Sequence, residues 1–333
     1  MDVSLQHPNS DTHTIAFYNT ENLFDHLNDP LIMDTDFLEK ANKKWNKDRY
    51  ETKVYKTGKA ISKIGFDDLQ KPPSLIGLAE VENDKVLTDL VQSTHLKDHN
   101  YGFVHYNSPD ERGIDVALLY DKNSFRLETS ETITLHVESK LGVRDYTRDI
   151  LKVSGYLRDE KIHVLVNHWP SRHQESDATG HKRMYAAQRV IGLMNDIRDA
   201  DVDAKIIVMG DFNDNPKNES IQFLKNEQRL YNPMETLLSY TRGSANHNYK
   251  WILFDQILMT DNLLAPKNGG LQFLKADIFD DSFLTQFSGK YKGQPFRTYV
   301  GKKYKGGYSD HFPVYIQLKE QQPLNGSDLH SET

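Results

Sequence analysis

Short apolar runs alternate with polar segments along most of the chain, and this pattern is typical of buried strands. It predicts strands at residues 14–18, 74–81, 101–106, 114–120, 125–137, 147–157, 161–168, 204–209, 251–259, 271–276 and 312–318. Between residues 178 and 200 the apolar positions keep helical spacing instead; they are Met184, Ala187, Val190, Ile191 and Met194. Shorter helices are predicted at residues 48–64, 84–94 and 218–226. Many strands with few helices favour two sheets packed face to face, with the helices outside.

The chain contains no repeat and no Pro/Gly/Ser-rich linker at which it would divide. We therefore predict a single domain at residues 14–318, with a polar, irregular insertion at residues 25–47. A polar N-terminal segment, residues 1–13, precedes this domain. The polar tail, residues 319–333, is predicted to be disordered.

Composition narrows the class of protein without choosing a function. The chain has 333 residues, of which 37% are hydrophobic and 27% are charged, as in a globular protein with a full core. The absence of cysteine excludes disulfides, thiolate nucleophiles and cysteine zinc sites. The formal charge of −7 argues against a strongly basic surface that coats nucleic acid, although it permits a local basic patch.

The hydrophobic runs are too short for a membrane protein. None approaches the ~18 residues that a transmembrane helix needs, and residues 1–13 lack the apolar stretch of a signal peptide. The chain is therefore predicted to be cytoplasmic, or secreted if a leader was removed from it. We predict no membrane insertion and no protein partner.

The most informative segment is residues 207–214, where a buried apolar strand ends in a glycine, a carboxylate and an amide. In an extended backbone, residues two apart project to the same side. Asp211 and Asn213 are therefore expected to reach into one cavity. There they would act as a base and a positioning group for a water molecule.

Two further polar residues follow apolar runs in the N-terminal part of the chain. Glu80 is either a solvated surface carboxylate or a ligand for a hard cation such as Mg²⁺. Asn19 either bonds to the turn after its strand, orients that carboxylate or holds the attacking water. Glu21 and Asn22, which come next, could instead be the cap residues of a helical turn.

Histidines occur at two more strand ends. His168 is either a structural hydrogen-bonding residue or a donor to a phosphate oxygen. The adjacent Asp310 and His311 precede the last strand, where one could serve a metal and the other a phosphate. Asp255 lies within an apolar run and needs a partner if it is buried, and we predict that His311 is that partner. The alternative is an inter-strand salt bridge or an exposed edge position.

Taken together and in order, these motifs resemble the endonuclease/exonuclease/phosphatase superfamily, with its deoxyribonuclease-I-like fold, in a bacterial-type member. They run through the chain from about residue 14 to 318 and are FYNTENLF with Asn19, GLAEVEN with Glu80, VNHWPSR with His168, GDFNDNP with Asp211 and Asn213, FDQIL with Asp255, and SDHFP with Asp310 and His311. The resemblance implies a four-layered α/β sandwich, in which two packed, mainly antiparallel sheets are flanked by helices.

The resemblance also implies roles around a metal. Glu80 matches the principal Mg²⁺ ligand, with Asn19 beside it and Asp310 close to the ion; Mn²⁺ is the alternative ion. Asp211 matches the aspartate that activates the attacking water, and Asn213 matches the asparagine that helps to hold water and phosphate.

Two histidines complete the implied site. His168 and His311 match the pair that contacts the scissile phosphate, and Asp255 matches the carboxylate that pairs with the second histidine. The family's first histidine commonly has its own acidic partner, for which Asp115 is the candidate.

Basic and aromatic residues between 290 and 305 could hold a phosphate backbone and stack on bases, or could form a solvated loop. They are Lys290, Lys292, Arg297, Lys302, Lys303 and Lys305, interleaved with Tyr291, Phe296, Tyr299 and Tyr304. Arg148 and Arg172 could also reach a phosphate, since a guanidinium suits it, or could be structural.

The prediction is therefore a Mg²⁺-dependent enzyme that hydrolyses phosphate esters, with the phosphodiester bonds of nucleic acid as the first choice. A phosphomonoesterase, or an enzyme for lipid or inositol phosphates, is the alternative, because one core site serves many substrates on this fold. A non-catalytic binding protein on the same fold is the alternative of another class. A copy without activity would be expected to lose one of Glu80, Asp211, Asn213 and His311, and the chain keeps all four.

Overall fold

The computed structural model describes residues 11–138, 142–172, 176–266 and 269–321. In these ranges the strands are β1 (Thr12–Leu23), β2 (Leu75–Val81), β3 (Tyr101–His105), β4 (Asp115–Asp121), β5 (Phe125–Ile133), β6 (Val137–Glu138), β7 (Arg144–Asp145), β8 (Ile150–Leu157), β9 (Glu160–His168), β10 (Lys205–Asp211), β11 (Leu230–Tyr231), β12 (Ala245–His247), β13 (Lys250–Ile252), β14 (Asp255–Thr260), β15 (Gly270–Ile278), β16 (Tyr299–Val300), β17 (Lys303–Tyr304) and β18 (Val314–Gln321). The helices are α1 (Lys47–Lys63), α2 (Phe66–Leu69), α3 (Asp84–Val91), α4 (Ser176–Ala200) and α5 (Glu219–Gln228).

Two six-stranded sheets carry most of the strands. The first has the order β15-β18-β1-β2-β4-β3, and the second has the order β11-β14-β10-β9-β8-β5. Each sheet holds one parallel pair at its centre, β1 with β2 in the first and β9 with β10 in the second, and its other pairs are antiparallel. The prediction of two mainly antiparallel sheets is therefore confirmed.

Side chains alternate between two cores along the central strands of the second sheet, as a strand with both faces covered requires. In β10, Ile207 and Met209 join the core that contains residues of both sheets, whereas Ile206 and Val208 join the core under α4 and α5. The sheets meet through β1 with β14 and β2 with β10, and α1 lies against β1 on the far side of the first sheet. The layers are therefore helix, sheet, sheet, helix, as the resemblance implied.

One predicted strand, residues 251–259, is wrong in a way that matters for the site. The chain breaks at residues 253–254, so that β13 pairs with β12 in a separate hairpin and β14 begins in the second sheet at Asp255. The break is stabilised from outside the strand, because the Leu253 N–H donates to Asn215 Oδ1 at 2.8 Å and the Phe254 carbonyl accepts from the Phe212 N–H at 2.9 Å. The predicted strand at residues 125–137 is likewise split into β5 and β6.

The helices agree more closely with the sequence pattern. The helices predicted at residues 48–64 and 178–200 correspond to α1 and α4 within two residues at each end. At the chain ends, β1 begins at Thr12 and β18 ends at Gln321, slightly outside the predicted bounds of 14 and 318. Residues 1–10 and 322–333, which make up most of the predicted terminal segments, lie outside the described residues. Among the described helices, none combines the length and apolar character needed to cross a bilayer.

The close approach of β9 and β10 generates a prediction about stability. A Cβ at Gly210 would lie 2.3 Å from the backbone oxygen of Asn167, which cannot move without disturbing the sheet. Gly210→Ala is therefore expected to lower the free energy of unfolding by about 1–3 kcal/mol in chemical denaturation. Gly192→Ala in α4, where a Cβ meets nothing within 4 Å, is the matched control and should be neutral or slightly stabilising. Equal stability of the two variants would contradict this packing.

Candidate active site

The candidate residues meet at one edge of the second sheet because of its strand directions. Asp211 ends β10 and lies opposite His168, the last residue of the parallel strand β9. On its other side it lies opposite Asp255, the first residue of the antiparallel strand β14. His311 is joined to this edge by a bridge to Ala245 in β12. Asp255 and His311 therefore reach the site from the beginnings of strands, whereas Asp211 and His168 reach it from strand ends.

Asp255 and His311 form a buried pair, as the sequence suggested. His311 Nδ1 lies 2.7 Å from Asp255 Oδ2, and Asp255 is fully buried. The Ser244 hydroxyl donates to the same Asp255 oxygen. Burial opposes a charge on His311, but the charge and hydrogen bond of Asp255, with Asp211 and Asp310, raise the pKa of His311 well above its usual value. The imidazole is therefore held in its protonated form at neutral pH.

Two hydrogen-bond donors hold the carboxylate of Asp211 in place. Asn19 Nδ2 donates to Asp211 Oδ2 at 3.0 Å, and the Asn213 backbone N–H donates to Asp211 Oδ1 at 3.0 Å. Burial and the charge of Asp255 outweigh these donors and raise the pKa of Asp211 to about 6. The carboxylate thus remains ionised at pH 7 while being more basic than an exposed aspartate.

Asn213 reaches the site by a different geometry from the one predicted. Its φ is 51°, so the backbone turns after Asp211 and is not extended there. The side-chain amide donates to the Trp169 carbonyl at 2.9 Å. Asn213 therefore contacts Asp211 through its backbone and fixes the end of β9 through its side chain, so the extended-strand expectation was wrong.

His168 is buried at the centre of this edge. Its Nε2 lies 3.8 Å from Asp211 Oδ2 and 4.0 Å from Glu80 Oε1. Burial, followed by the positive charges of Arg148, Arg112 and His311, lowers the pKa of His168 well below its usual value. The two histidines of the site consequently carry different charges at neutral pH.

The acidic partner proposed for His168 is wrong. Asp115 instead lies 3.3 Å from His105 Nε2 and accepts the Ser108 N–H at 3.0 Å. His168 Nδ1 is buried and has no hydrogen-bond partner among the described residues. Asp115 belongs to β4 of the first sheet, so its side chain serves the neighbouring strand β3.

Glu80 enters from the first sheet at an irregularity between β1 and β2. The register of both strands shifts there, and Glu80, Glu21 and Asn22 all have left-handed φ values of 63°, 53° and 56°. The Asn22 N–H donates to Glu80 Oε2 at 2.9 Å. Glu21 and Asn22 are thus part of this bulged strand and do not cap a helix.

A buried network of charged side chains, which was not predicted from the sequence, connects Lys53 and Glu21 with the segment before Asp310. Lys53 of α1 is 1% exposed and donates through Nζ to Thr298 Oγ1 at 2.7 Å and to the Tyr308 carbonyl. Glu21 accepts the Thr298 N–H. Burial lowers the pKa of Lys53 to about 8 and, with Asp310, raises the pKa of Glu21 to about 7. These bonds fix the segment that leads to Asp310.

A signal for Lys53 was present in the sequence. Tyr50, Val54, Thr57 and Ile61 recur at helical spacing and are all buried, and Lys53 falls on the same face of α1. A lysine on such a face needs acceptors, and these come from residues 245 and 255 positions away.

The predicted phosphate-binding arginines are engaged with protein groups. Arg148 is buried and donates to Asp110 Oδ2 and to the Trp169 carbonyl, each at 3.1 Å. Arg172 donates to the Asn213 carbonyl at 2.8 Å and forms an ion pair with Asp214. Both arginines therefore support the loops around His168 and Asp211, which is the structural alternative.

The basic segment near residue 300 divides into two parts. Lys302, Lys303 and Lys305 are exposed in and beside the β16–β17 hairpin. Tyr299 is buried, and the guanidinium of Arg49 lies 4.3 Å from the ring centre of Tyr304. These two rings pack against the protein and are not free to stack on bases.

Comparison with known proteins assigns the family. A family model described as Endonuclease/Exonuclease/phosphatase family matches residues 14–320. The chain belongs to this family. Its members are hydrolases that act on phosphoesters. Among curated proteins, the comparison found no match.

Solved structures agree with the family assignment at the level of the fold. A humanized TDP2 from D. rerio is 14% identical with a TM-score of 0.57, and the match covers 93% of this chain and 100% of that one. A mannosyl-6-phosphatase from Bacteroides thetaiotaomicron is 16% identical with a TM-score of 0.57, covering 92% and 99%. The human Nocturnin catalytic domain is 14% identical with a TM-score of 0.53, covering 93% and 95%.

Enzymes of the endonuclease/exonuclease/phosphatase family are generally dependent on a divalent metal, and two groups of side chains here offer suitable atoms. In the first group, ligand atoms of Asp211, Asp255 and His311 lie within 4.8 Å of one another. This group is almost closed to solvent, and His311 is already bonded to Asp255. A Mg²⁺ ion retains several waters and needs room for them.

The second group consists of the predicted metal ligands Glu80 and Asp310, which are hard oxygen donors with access to solvent; Asp310 also forms an ion pair with Arg297. The side chain of Glu80 is 15% exposed, and that of Asp310 is 30% exposed. The Asn22 N–H fixes one oxygen of Glu80 and leaves Oε1 directed toward His168. Carboxylates of this kind, with the Asn19 amide close by, fit the donor preference of Mg²⁺ or Mn²⁺.

The Asp255–His311 pair generates a prediction that needs no substrate. Asp255→Asn removes the negative charge while keeping the shape of the side chain. The pKa of His311 is therefore expected to fall, because burial lowers it and the charge of Asp255, which raises it most, is gone. An NMR titration of the histidine rings in EDTA measures this, with His13 and His105 as internal controls. An unshifted His311 titration would contradict the charge pairing.

Proposed function

We propose that the protein is a divalent-metal-dependent phosphodiesterase that hydrolyses nucleic acid. The observation that carries this proposal is the position of Asp211 between two imidazoles of different charge. His168 Nε2 is 3.8 Å from Asp211, and His311 lies within 4.8 Å of it. A base beside one cationic and one neutral hydrogen-bonding group suits attack by water on an anionic phosphate.

Asp211 would take the proton from the attacking water. Asn19 and the Asn213 N–H orient its carboxylate, and its pKa of about 6 makes it ionised yet basic at neutral pH. Such a base contributes about 10²–10⁴-fold in rate. No covalent intermediate on the protein is required.

The two histidines would act on the phosphate oxygens. His311 carries a positive charge that is maintained by Asp255, so it would neutralise charge that develops during in-line attack. His168 remains neutral and would donate a hydrogen bond without adding a second charge beside Arg148. This division explains why the protein can bury both imidazoles at one edge.

Glu80, Asn19 and Asp310 are the residues that would hold the metal. A divalent cation bound there would draw negative charge from the phosphate oxygens. Lys53 and Glu21 would help to keep Asp310 in place, because they fix Tyr308, near Asp310 in the chain, and Thr298, which follows Arg297. Arg297 forms an ion pair with Asp310.

Nucleic acid is the favoured substrate because of exposed positive charge in the segment that leads to Asp310. Lys302, Lys303 and Lys305 are exposed on and next to the β16–β17 hairpin, a few residues before Asp310. Exposed lysines next to a phosphate site favour a long polyanion over a small monoester. The chain as a whole is acidic, which limits this contact to one patch.

Asp211→Asn is expected to lower kcat/KM by about 10²–10⁴-fold. The variant should be at least as stable as the wild type, because it removes a buried charge that repels Asp255. Activity is measured on single-stranded DNA, single-stranded RNA, plasmid, an aryl phosphodiester and an aryl phosphomonoester, each with Mg²⁺, Mn²⁺ or EDTA. Chemical denaturation measures the stability.

The same substrates and metal conditions distinguish a nuclease from a phosphatase and from a binding protein without activity. Metal-dependent cleavage of nucleic acid by the wild type, lost in Asp211→Asn and in Glu80→Gln, would support the proposal. Turnover of the monoester alone would replace it with a phosphatase. Metal binding without turnover of any substrate would favour a binding protein. Near-normal turnover by Asp211→Asn would refute the role of Asp211.

Replacement of Lys302, Lys303 and Lys305 by alanine is expected to weaken nucleic-acid substrates more than the aryl phosphodiester. The slope of log KM against log salt concentration for single-stranded DNA should become shallower, by the amount that corresponds to the loss of about two to three phosphate contacts. Lys161, Lys205 and Lys225, which form ion pairs elsewhere, provide a triple-alanine control of equal charge. Equal losses on both substrates would indicate a structural role for the hairpin.

A further inference from the structure

A cavity of about 260 Å³ opens beside the candidate active site. Its walls are the β12–β13 hairpin, up to Tyr249 at the tip, and the segment from Gln286 to Arg297. Neither wall belongs to the two large sheets. The cavity is therefore an addition to the edge on which the chemical residues lie.

The cavity is connected to the site through shared residues. Asp310 lines it, and Asp310 Oδ1 lies 4.0 Å from His311 Nε2. The hairpin is bonded to the same segment, because Ala245 bridges to His311 and the Phe312 N–H donates to the Ser244 carbonyl at 2.6 Å. A ligand group in the cavity would thus be next to a phosphate held by His311.

Two exposed aromatic rings line the cavity, one from each wall. The rings of Tyr249 and Tyr291 are stacked, with centroids 5.9 Å apart and nearly parallel planes, at 12°. Tyr249 is 61% exposed and Tyr291 is 38% exposed, in contrast to the buried Tyr299. Lys290 lies 4.8 Å from the ring centre of Tyr291 and adds positive charge at this position. The exposed face of such a pair is a surface on which another ring can stack.

Amide side chains from both walls also line the cavity. Asn246 is one of them, and its Oδ1 is buried without a hydrogen-bond partner among the described residues, which leaves an acceptor that a ligand donor could satisfy. Gln286 and Gln294 also line the cavity. Asn and Gln amides pair with the edges of nucleobases.

The turn at the hairpin tip fixes the position of Tyr249. Asn248 and Tyr249 are the two loop residues between His247 and Lys250, and their left-handed φ values of 49° and 64° are those of a two-residue hairpin turn. Here it holds the Tyr249 ring beside Tyr291.

We propose that this cavity binds one nucleobase of the substrate, stacked on Tyr249 and Tyr291 and hydrogen-bonded by Asn246. This inference rests on the proposed function and specifies its substrate as a nucleotide ester. The volume is slightly below the ~300 Å³ at which pockets for drug-sized ligands begin, so it suits one ring system and not a duplex. The amides can pair with the polar edge of a base.

The first test compares two esters that release the same p-nitrophenol. One is the p-nitrophenyl ester of thymidine 5′-monophosphate, and the other is methyl p-nitrophenyl phosphate, which lacks the nucleoside. In Tyr249→Ala, the ratio of kcat/KM for the thymidine ester to that for the methyl ester should fall about 10-fold. Tyr249→Phe keeps the ring and should preserve the ratio. Tyr240→Ala, which removes a tyrosine that is 99% exposed outside the cavity, is the control.

The second test measures binding and requires no turnover, so it separates this inference from the proposed function. Calorimetry compares thymidine 5′-monophosphate with deoxyribose 5-phosphate and mannose 6-phosphate in EDTA. The nucleotide should bind at least 10-fold more tightly, and this advantage should be lost in the Tyr249→Ala/Tyr291→Ala variant. Equal binding of the nucleotide and deoxyribose 5-phosphate, tighter binding of either sugar phosphate, or an advantage retained without the tyrosines would overturn the inference.

Discussion

The active edge depends on how the protein accommodates two buried carboxylates side by side. Asp211 and Asp255 lie directly opposite each other on β10 and β14, and both are excluded from water. Two such charges would repel each other strongly without compensation. His311 supplies the compensating positive charge. Its Nδ1 lies 2.7 Å from Asp255 Oδ2, and a ring nitrogen lies within 4.8 Å of a carboxylate oxygen of Asp211. The basicity of Asp211 and the charge of His311 are therefore two results of one arrangement.

Irregular backbone at the ends of regular strands positions the groups around these charges. Glu80, Glu21 and Asn213 all have left-handed φ values, although none is glycine. Each lies where a strand bulges or turns, and each then directs a backbone or side-chain group at the site. The parallel strand pairs at the centres of the sheets form a rigid frame, and these strained residues orient individual groups relative to that frame.

The sequence was sufficient for the fold and for one contact within the site. Alternating apolar runs predicted two packed sheets, and the cost of burying Asp255 alone predicted that it needs His311. That argument works because it requires only a hydrophobic context and a complementary charge.

Contacts that depend on local backbone could not be predicted in the same way. Asn213 was expected to share a strand face with Asp211, but its left-handed φ depends on the turn into residues 214–218. Asp115 was expected to serve His168, but β4 places it next to His105 in the other sheet. The acceptors of Lys53 lie 245 and 255 residues away, so they can be identified only when the fold is known.

The β12–β13 hairpin couples the chemistry to the adjacent cavity. Ser244, just before β12, donates to Asp255, and Ala245 bridges to His311, so the base of the hairpin is part of the charge set. Its tip carries Tyr249 into the cavity wall. Because the hairpin is only a few residues long, a shift at Tyr249 would be transmitted to the hydrogen bonds around Asp255. Occupancy of the cavity and the orientation of His311 are therefore expected to be linked, so that a well-seated substrate would be attacked faster as well as bound more tightly.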